Sequence, residues 1–270
     1  MNVNKKYNAV LFLISTISFL IYIVTLTTNY LATSLPLNGL TTGGISDLYP
    51  NLFTPSGITF SIWGVIYSLI FGFNFFIFYK LTGKIHDHDF RFLKKIQIFF
   101  ILSSILNALW IVCWHFLYIG LSVLVMILLL ISLIAINLEI KNNKSNLSRS
   151  FFLKVPFQTY FGWITVATIA NITAYLVSQS FQGFGLSDIW WTVVILLTGT
   201  FIGVFTGFTI RSPSYLLVLI WAYFGILINH TSVAGFNFKY PEIIATTVLS
   251  ISVFFVVLYQ IIFKINNLSK

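Results

Sequence analysis

"LYIGLSVLVMILLLISLIAIN", residues 117–137, runs for 21 residues without a formal charge. A helix rises 1.5 Å per residue, so this stretch reaches across a hydrocarbon core of about 30 Å. Its apolar residues are continuous rather than alternating, which selects a helix over a barrel strand. Working outward, comparable runs recur at 8–28, 58–79, 95–113, 157–178, 189–209, 214–230 and 242–263. The chain is therefore expected to be an all-α integral membrane protein, a bundle of about eight transmembrane helices. The first run exceeds the roughly 7–15 residues of a signal-peptide core, so it reads as a retained span.

Composition agrees. Of 270 residues, 58% are hydrophobic and 8% charged, and mean hydropathy is +0.94. Soluble domains carry about 25% charged residues. The formal charge of +9 raises the prospect of nucleic-acid binding, but the placement of the bases speaks against it. With the N-terminus inside, fourteen of the 15 lysines and arginines, from Lys5 to Lys264 and Lys270, fall on inside segments, and only Lys239 falls outside. That asymmetry predicts cytoplasmic termini in a multi-pass plasma-membrane protein, its bases meeting cytosol and anionic headgroups. The expected partner is a lipid bilayer, with no nucleic acid. Cys113 is the single cysteine, which excludes an intrachain disulfide and any multi-cysteine metal site.

Most predicted connections are short. The segment 29–57 is not: it has no lysine or arginine and is rich in Thr, Ser, Gly and Pro. Loops beyond about 12–15 residues are commonly functional lids or disordered segments. No internal repeat of the alternating-access kind is visible. Where this loop meets the second span, Pro55 suits a helix start and Gly57 permits a sharp turn. An ordinary helix start explains both residues as well.

Several side chains then fall on shared faces. Trp63 and Tyr67 are four apart; Asn107, Trp110 and Trp114 follow helical spacing; Trp163, Ala167 and Asn171 form one stripe with a gap at the alanine. Tryptophans near span ends also serve as an interfacial belt, which suits Trp190, Trp191 and Trp114. The asparagines serve equally as interhelical hydrogen-bonding groups. Gly199, Gly203 and Gly207 make a double G-x-x-x-G ridge, a helix-packing surface for this chain or for a homodimer seam. The "IHDHD" stretch, 85–89, reads as a solvated polar turn rather than a metal site. His115 and His230 have no carboxylate at helical spacing, and Asp188 and Glu242 suit helix N-termini.

Three stretches carry a resemblance: "FTPSGITFSIWGVIYSLIFG" (53–72), "LNALWIVCWHFLYIGLSVLVMILLL" (106–130) and "VPFQTYFGWITVATIAN" (155–171). In order and spacing they resemble the second, third-to-fourth and fifth helices of the translocator protein family, also known as TspO/MBR or tryptophan-rich sensory proteins. The similarity covers roughly residues 8–178. It implies a five-helix core over 1–179 and a three-helix extension over 180–270. It also implies a ligand pocket closed by the loop between the first two helices. Pro55, Trp63, Asn107, Trp110, Trp163, Ala167 and Asn171 fall at the family's positions, and Tyr67 joins them by its shared face with Trp63. There are departures: Pro156 precedes Trp163 by seven residues rather than four, and Ala108 replaces an aromatic residue. The basic end of the sterol motif is missing after Asn171, although Val257, Tyr259 and Lys264 match a loose sterol pattern.

The expected function is thus a membrane ligand-binding or sensory protein of translocator type, taking a planar apolar ligand such as a porphyrin in a tryptophan-lined pocket under the 29–57 loop. No cofactor is required, and porphyrin or haem enters only as ligand. No catalytic or metal residues are assigned, so the protein is read as a non-enzyme, with light-dependent porphyrin breakdown the enzymatic alternative that the resemblance implies. The alternative is a transporter or permease for a small hydrophobic solute, against which stands the lack of charged residues at mid-span.

Overall fold

A computed structural model describes residues 3–35 and 37–268, with side chains for residues 5–35 and 37–263. Lys270 and the Lys264 side chain, which entered the charge count and the sterol pattern, lie outside the described residues. The fold is all helical: α1 (Val3–Ser34), the short α2 (Thr42–Asp47), α3 (Ile62–Lys80), α4 (Asp87–His115), α5 (Ile119–Asn142), α6 (Phe151–Ser178), α7 (Asp188–Ile210), α8 (Pro213–Thr231) and α9 (Pro241–Leu268). Among the described residues eight helices, all except α2, are long and apolar enough to cross a membrane. Large apolar side chains such as Leu20, Phe75, Phe201, Phe205 and Phe255 are exposed along these spans. In water that would be a liability; in lipid it is the required surface.

Most helices outrun their apolar stretches, but α3 begins at Ile62 rather than 58, so Pro55 and Gly57 lead into a 3₁₀ turn and not directly into the α-helix. The third span was expected at 95–113, yet α4 begins at Asp87, so the "IHDHD" stretch is mostly helix rather than turn. The reason is local: Asp87 and Asp89 occupy the first turn, where negative charge complements the dipole, and Asp87 pairs with Arg91 at 2.7 Å. Likewise α1 continues to Ser34, and α6 starts at Phe151 with Pro156 inside it. The long connection is therefore 35–61, and it carries α2 and a 3₁₀ turn at Gly57–Ser61.

The chain forms two compact units, the first comprising Met1–Thr42 and Trp63–Phe161, the second Gly43–Ile62 and Gly162–Lys270. The family-based boundary at 179/180 divides the chain on other grounds, by counterparts to five-helix relatives.

In the first unit α4 packs between α1 and α5. Phe73, Phe100 and Phe157 form a buried triad, with ring centroids 4.8 to 5.7 Å apart and edges on faces. Lipid tails are as apolar as the core, so direction comes from polar contacts. Gln97 donates to Ser15 at 2.9 Å, and Thr25 donates to the Ser104 carbonyl at 2.9 Å. Tyr22 donates to the Tyr67 carbonyl at 2.9 Å.

In the second unit α7, α8 and α9 pack on one another. The glycine ridge faces this seam. A Cβ at Gly199 would lie 2.6 Å from the Tyr223 hydroxyl; at Gly203, 2.5 Å from Leu219 Cδ1 and 2.8 Å from Phe254 Cε1; at Gly207, 2.9 Å from Leu216 Cδ2. Three turns of α8 and one ring of α9 thus occupy the room the glycines leave.

Candidate functional site

Four of the eight predicted ligand-binding residues meet in the first unit. Trp63 stacks on Tyr67, with ring centroids 5.4 Å apart and planes at 17°, because the two are one turn apart on α3. Trp63 also stacks on Trp110 of α4 at 6.4 Å, and Trp110 stacks on Trp114 at 6.0 Å. Tyr160, from the first turns of α6, presents its edge to Trp63 at 6.0 Å. The result is a column of near-parallel rings drawn from two helices and buttressed by a third.

Asn107 stands beside this column, fully buried. Its carbonyl accepts from Asn29 Nδ2 at 2.9 Å, and its amide donates to the Tyr160 hydroxyl at 2.7 Å. The sequence suggested that Asn107 contacts a ligand. Here two of its four bonding positions are spent on α1 and α6, so its first effect is to fix the ring of Tyr160. The Tyr67 hydroxyl lies beside the same amide but outside hydrogen-bonding geometry with it. None of these side chains carries a formal charge, so the surface they make is apolar with a few directional polar atoms, the usual composition of a small-molecule site.

Pro55, Trp163, Ala167 and Asn171 belong to the second unit. Pro55 is buried, Trp163 is buried with Phe60 edge-on at 5.9 Å, Asn171 is buried, and Ala167 is half-buried.

The long connection is pinned at both ends by side chains the sequence left without partners. In the first unit, His115 closes α4. Its Nδ1 donates to the Leu37 carbonyl at 3.1 Å, and its Nε2 pairs with the Thr42 hydroxyl at 3.0 Å. Trp114 Nε1 donates to the Thr42 carbonyl at 3.1 Å, and Asn38 donates to the His115 carbonyl at 3.0 Å. In the second unit, α8 takes the other end. Trp221 Nε1 donates to the Thr59 carbonyl at 3.0 Å, Asn229 Nδ2 to that of Thr54 at 2.9 Å, and His230 Nε2 to that of Leu52 at 2.8 Å. The Ser56 N–H donates to the Gly225 carbonyl at 3.0 Å, and Thr59 fills the space where Gly225 has no side chain. Trp221, Gly225 and Asn229 form one stripe at i, i+4 and i+8, the spacing of Trp163, Ala167 and Asn171 on α6.

Sequence reasoning set His115 and His230 aside because it looked for carboxylate partners at helical spacing, and it did not single out Trp221, Gly225 or Asn229. The available signal was a run of side-chain donors at span ends next to a loop full of unassigned carbonyls.

A family model described as TSPO-like protein matches residues 15–261, a range that takes in part or all of every one of the eight spans. No curated protein and no solved structure matches the chain. The match runs well past the five helices that carried the resemblance, and the chain belongs to the TSPO-like protein family.

Proposed function

We propose that this membrane protein of translocator type binds a planar apolar ligand, a tetrapyrrole such as a porphyrin, on the ring column of its first unit. The observation that carries the reading is the stack Tyr67–Trp63–Trp110–Trp114 beside the Asn29–Asn107–Tyr160 hydrogen-bonded chain. Stacked indoles offer large, polarisable, rigid faces, and a flat macrocycle is the ligand whose shape such a column extends. The amide chain holds Tyr160 against Trp63, so the surface is preorganised and loses little entropy on binding. The charge bias supports cytoplasmic termini and a plasma-membrane location, which puts the pinned 35–61 connection on the outer side.

Titration of protoporphyrin into the purified full chain, read by quenching of tryptophan fluorescence, tests the proposal. Each stacked pair contributes about 0.5–1.5 kcal/mol, so Trp63→Leu and Trp110→Leu should each weaken binding roughly two- to tenfold. Trp190→Leu, whose ring is exposed, should leave it unchanged. Equal affinity in all three variants would remove the column from the account. Binding rather than breakdown is expected, so porphyrin recovered after illuminated incubation should keep its absorption spectrum.

A further inference from the structure

The second unit contains a cavity of about 700 Å³, unrelated to the ring column, at the end where α6 leads into α7 and α8 leads into α9. Its walls combine two kinds of group. Asp47 and Asp188 supply carboxylates and Trp191 and Tyr240 supply aromatic rings; Asn51 and Asn229 also line it. Among the described residues lining it there is no lysine or arginine. In a chain with 15 basic and 6 acidic residues, that placement is far from even. Neither carboxylate has an ion-pair partner among the described residues.

The rings are held in place. Trp191 was expected in an interfacial belt beside Trp190, but consecutive helical residues point about 100° apart. Trp190 is exposed, whereas Trp191 packs on Phe181 at 5.4 Å and on Phe184 at 6.1 Å, and lines the cavity. Tyr240 is edge-on to the fully buried His230 at 5.8 Å. The Tyr240 ring also shows that it accepts an ammonium: Lys239 Nζ, outside the cavity lining, lies 5.2 Å from its centroid.

We propose that this cavity is a binding site for an organic cation, a quaternary or protonated amine with an apolar body. Carboxylates neutralise such a charge, aromatic faces attract it through their quadrupoles, and the volume suits a small organic molecule. A bare metal ion is the poorer fit, since the described residues include no group of three or more His, Cys, Asp or Glu side chains placed to hold one. The site shares no residue with the proposed tetrapyrrole column, and its test does not depend on that column.

Isothermal titration of benzyltrimethylammonium against its neutral carbon isostere, neopentylbenzene, into the full chain in nanodiscs reads the proposal. The cation should bind about tenfold more tightly than the isostere, and more weakly at high salt. Because both carboxylates are exposed, Asp47→Asn and Asp188→Asn should each cost roughly two- to fivefold, and the double variant about tenfold. Trp191→Leu should cost a similar factor. Nanodiscs of phosphatidylcholine and phosphatidylglycerol distinguish the source: competition by the former alone identifies a lipid headgroup as the occupant, and equal affinity in both identifies a soluble cation. Equal binding of cation and isostere overturns the proposal. So does an unchanged affinity in the Asp47→Asn and double variants.

Discussion

Gly225→Ala is the substitution that most directly probes how α8 holds the entrance to α3. An ideal Cβ at Gly225 would overlap Thr59 Oγ1 and lie 2.8 Å from its Cγ2 and 2.9 Å from its Cβ. Thr59 is 1% exposed, so it has nowhere to swing. Overpacking of this kind costs about 1–3 kcal/mol. If the 3₁₀ turn is pushed away instead, the Trp221–Thr59 and Ser56–Gly225 hydrogen bonds are lost, at about 1 kcal/mol each. Against this, alanine is the better helix former by about 1 kcal/mol. The net expectation is a loss of about 1 kcal/mol by either route. Thermal unfolding read with a thiol-reactive dye suits the protein, because Cys113 is its single cysteine and is buried. Hydrogen exchange over residues 54–61 gives the local readout. Adding Thr59→Ala removes the two nearest atoms, so the double variant should recover at least half of the loss. A neutral or stabilising Gly225→Ala, or strict additivity of the pair, would show that α8 and the turn do not depend on this contact.

Gly203→Leu should be the most damaging change on the glycine ridge, by at least about 3 kcal/mol, because Leu219 and Phe254 already occupy the space; melting temperature and detergent-resistant folding check it. Asn107→Leu should cost more than the roughly 0.6 kcal/mol average for a polar contact within a membrane protein, since it strands both Asn29 and Tyr160. Adding Asn29→Leu should recover part of that loss in a double-mutant cycle. Glu139→Gln, which breaks the 3.3 Å pair with Lys95, should change unfolding by less than about 1 kcal/mol, the two groups being partly solvated. His115→Phe should leave the spans folded but raise protease cleavage and hydrogen exchange at residues 37–42, whose carbonyls His115 and Trp114 engage.

The spans were legible because bilayer thickness sets a length and lipid forbids charge, two constraints written directly into hydropathy. Their ends were not. Residues 87–94 of α4 include four charged side chains, so a reading by apolarity alone stops at 95 although the helix does not. Shared faces were legible too: the Trp63–Tyr67 and Trp110–Trp114 stacks follow from spacing along one helix. What spacing does not supply is the contact between helices, Trp63 on Trp110 or Asn29 on Asn107, since hydrophobic patterning leaves rotation about each axis open. Still less does it supply the pairs joining the loop to α8, which are separated by 162 to 178 residues. Trp191 shows the same limit within one helix. A tryptophan at a span end satisfies the belt rule whether its ring faces lipid or a cavity.

The loop-to-α8 pairing also gives α8 a structural role. A Thr-, Ser-, Gly- and Pro-rich connection leaves many carbonyls and few regular hydrogen bonds, and burying such a segment is costly unless each group is met. Along α8 the partners appear in antiparallel order: Trp221 with Thr59, Gly225 with Ser56, Asn229 with Thr54, His230 with Leu52. An indole N–H and an amide on either side of a small residue form a track in which a backbone can lie close and find donors. On α8 that track is filled by the chain's own residues 52–59. Five helices could span the bilayer without it, but this segment would then meet none of these donors, and Phe53, 1% exposed here, would have to find another place out of water. Helix α8 thus acts on the loop as a template acts on a strand, supplying from outside hydrogen bonds that an irregular segment cannot make within itself.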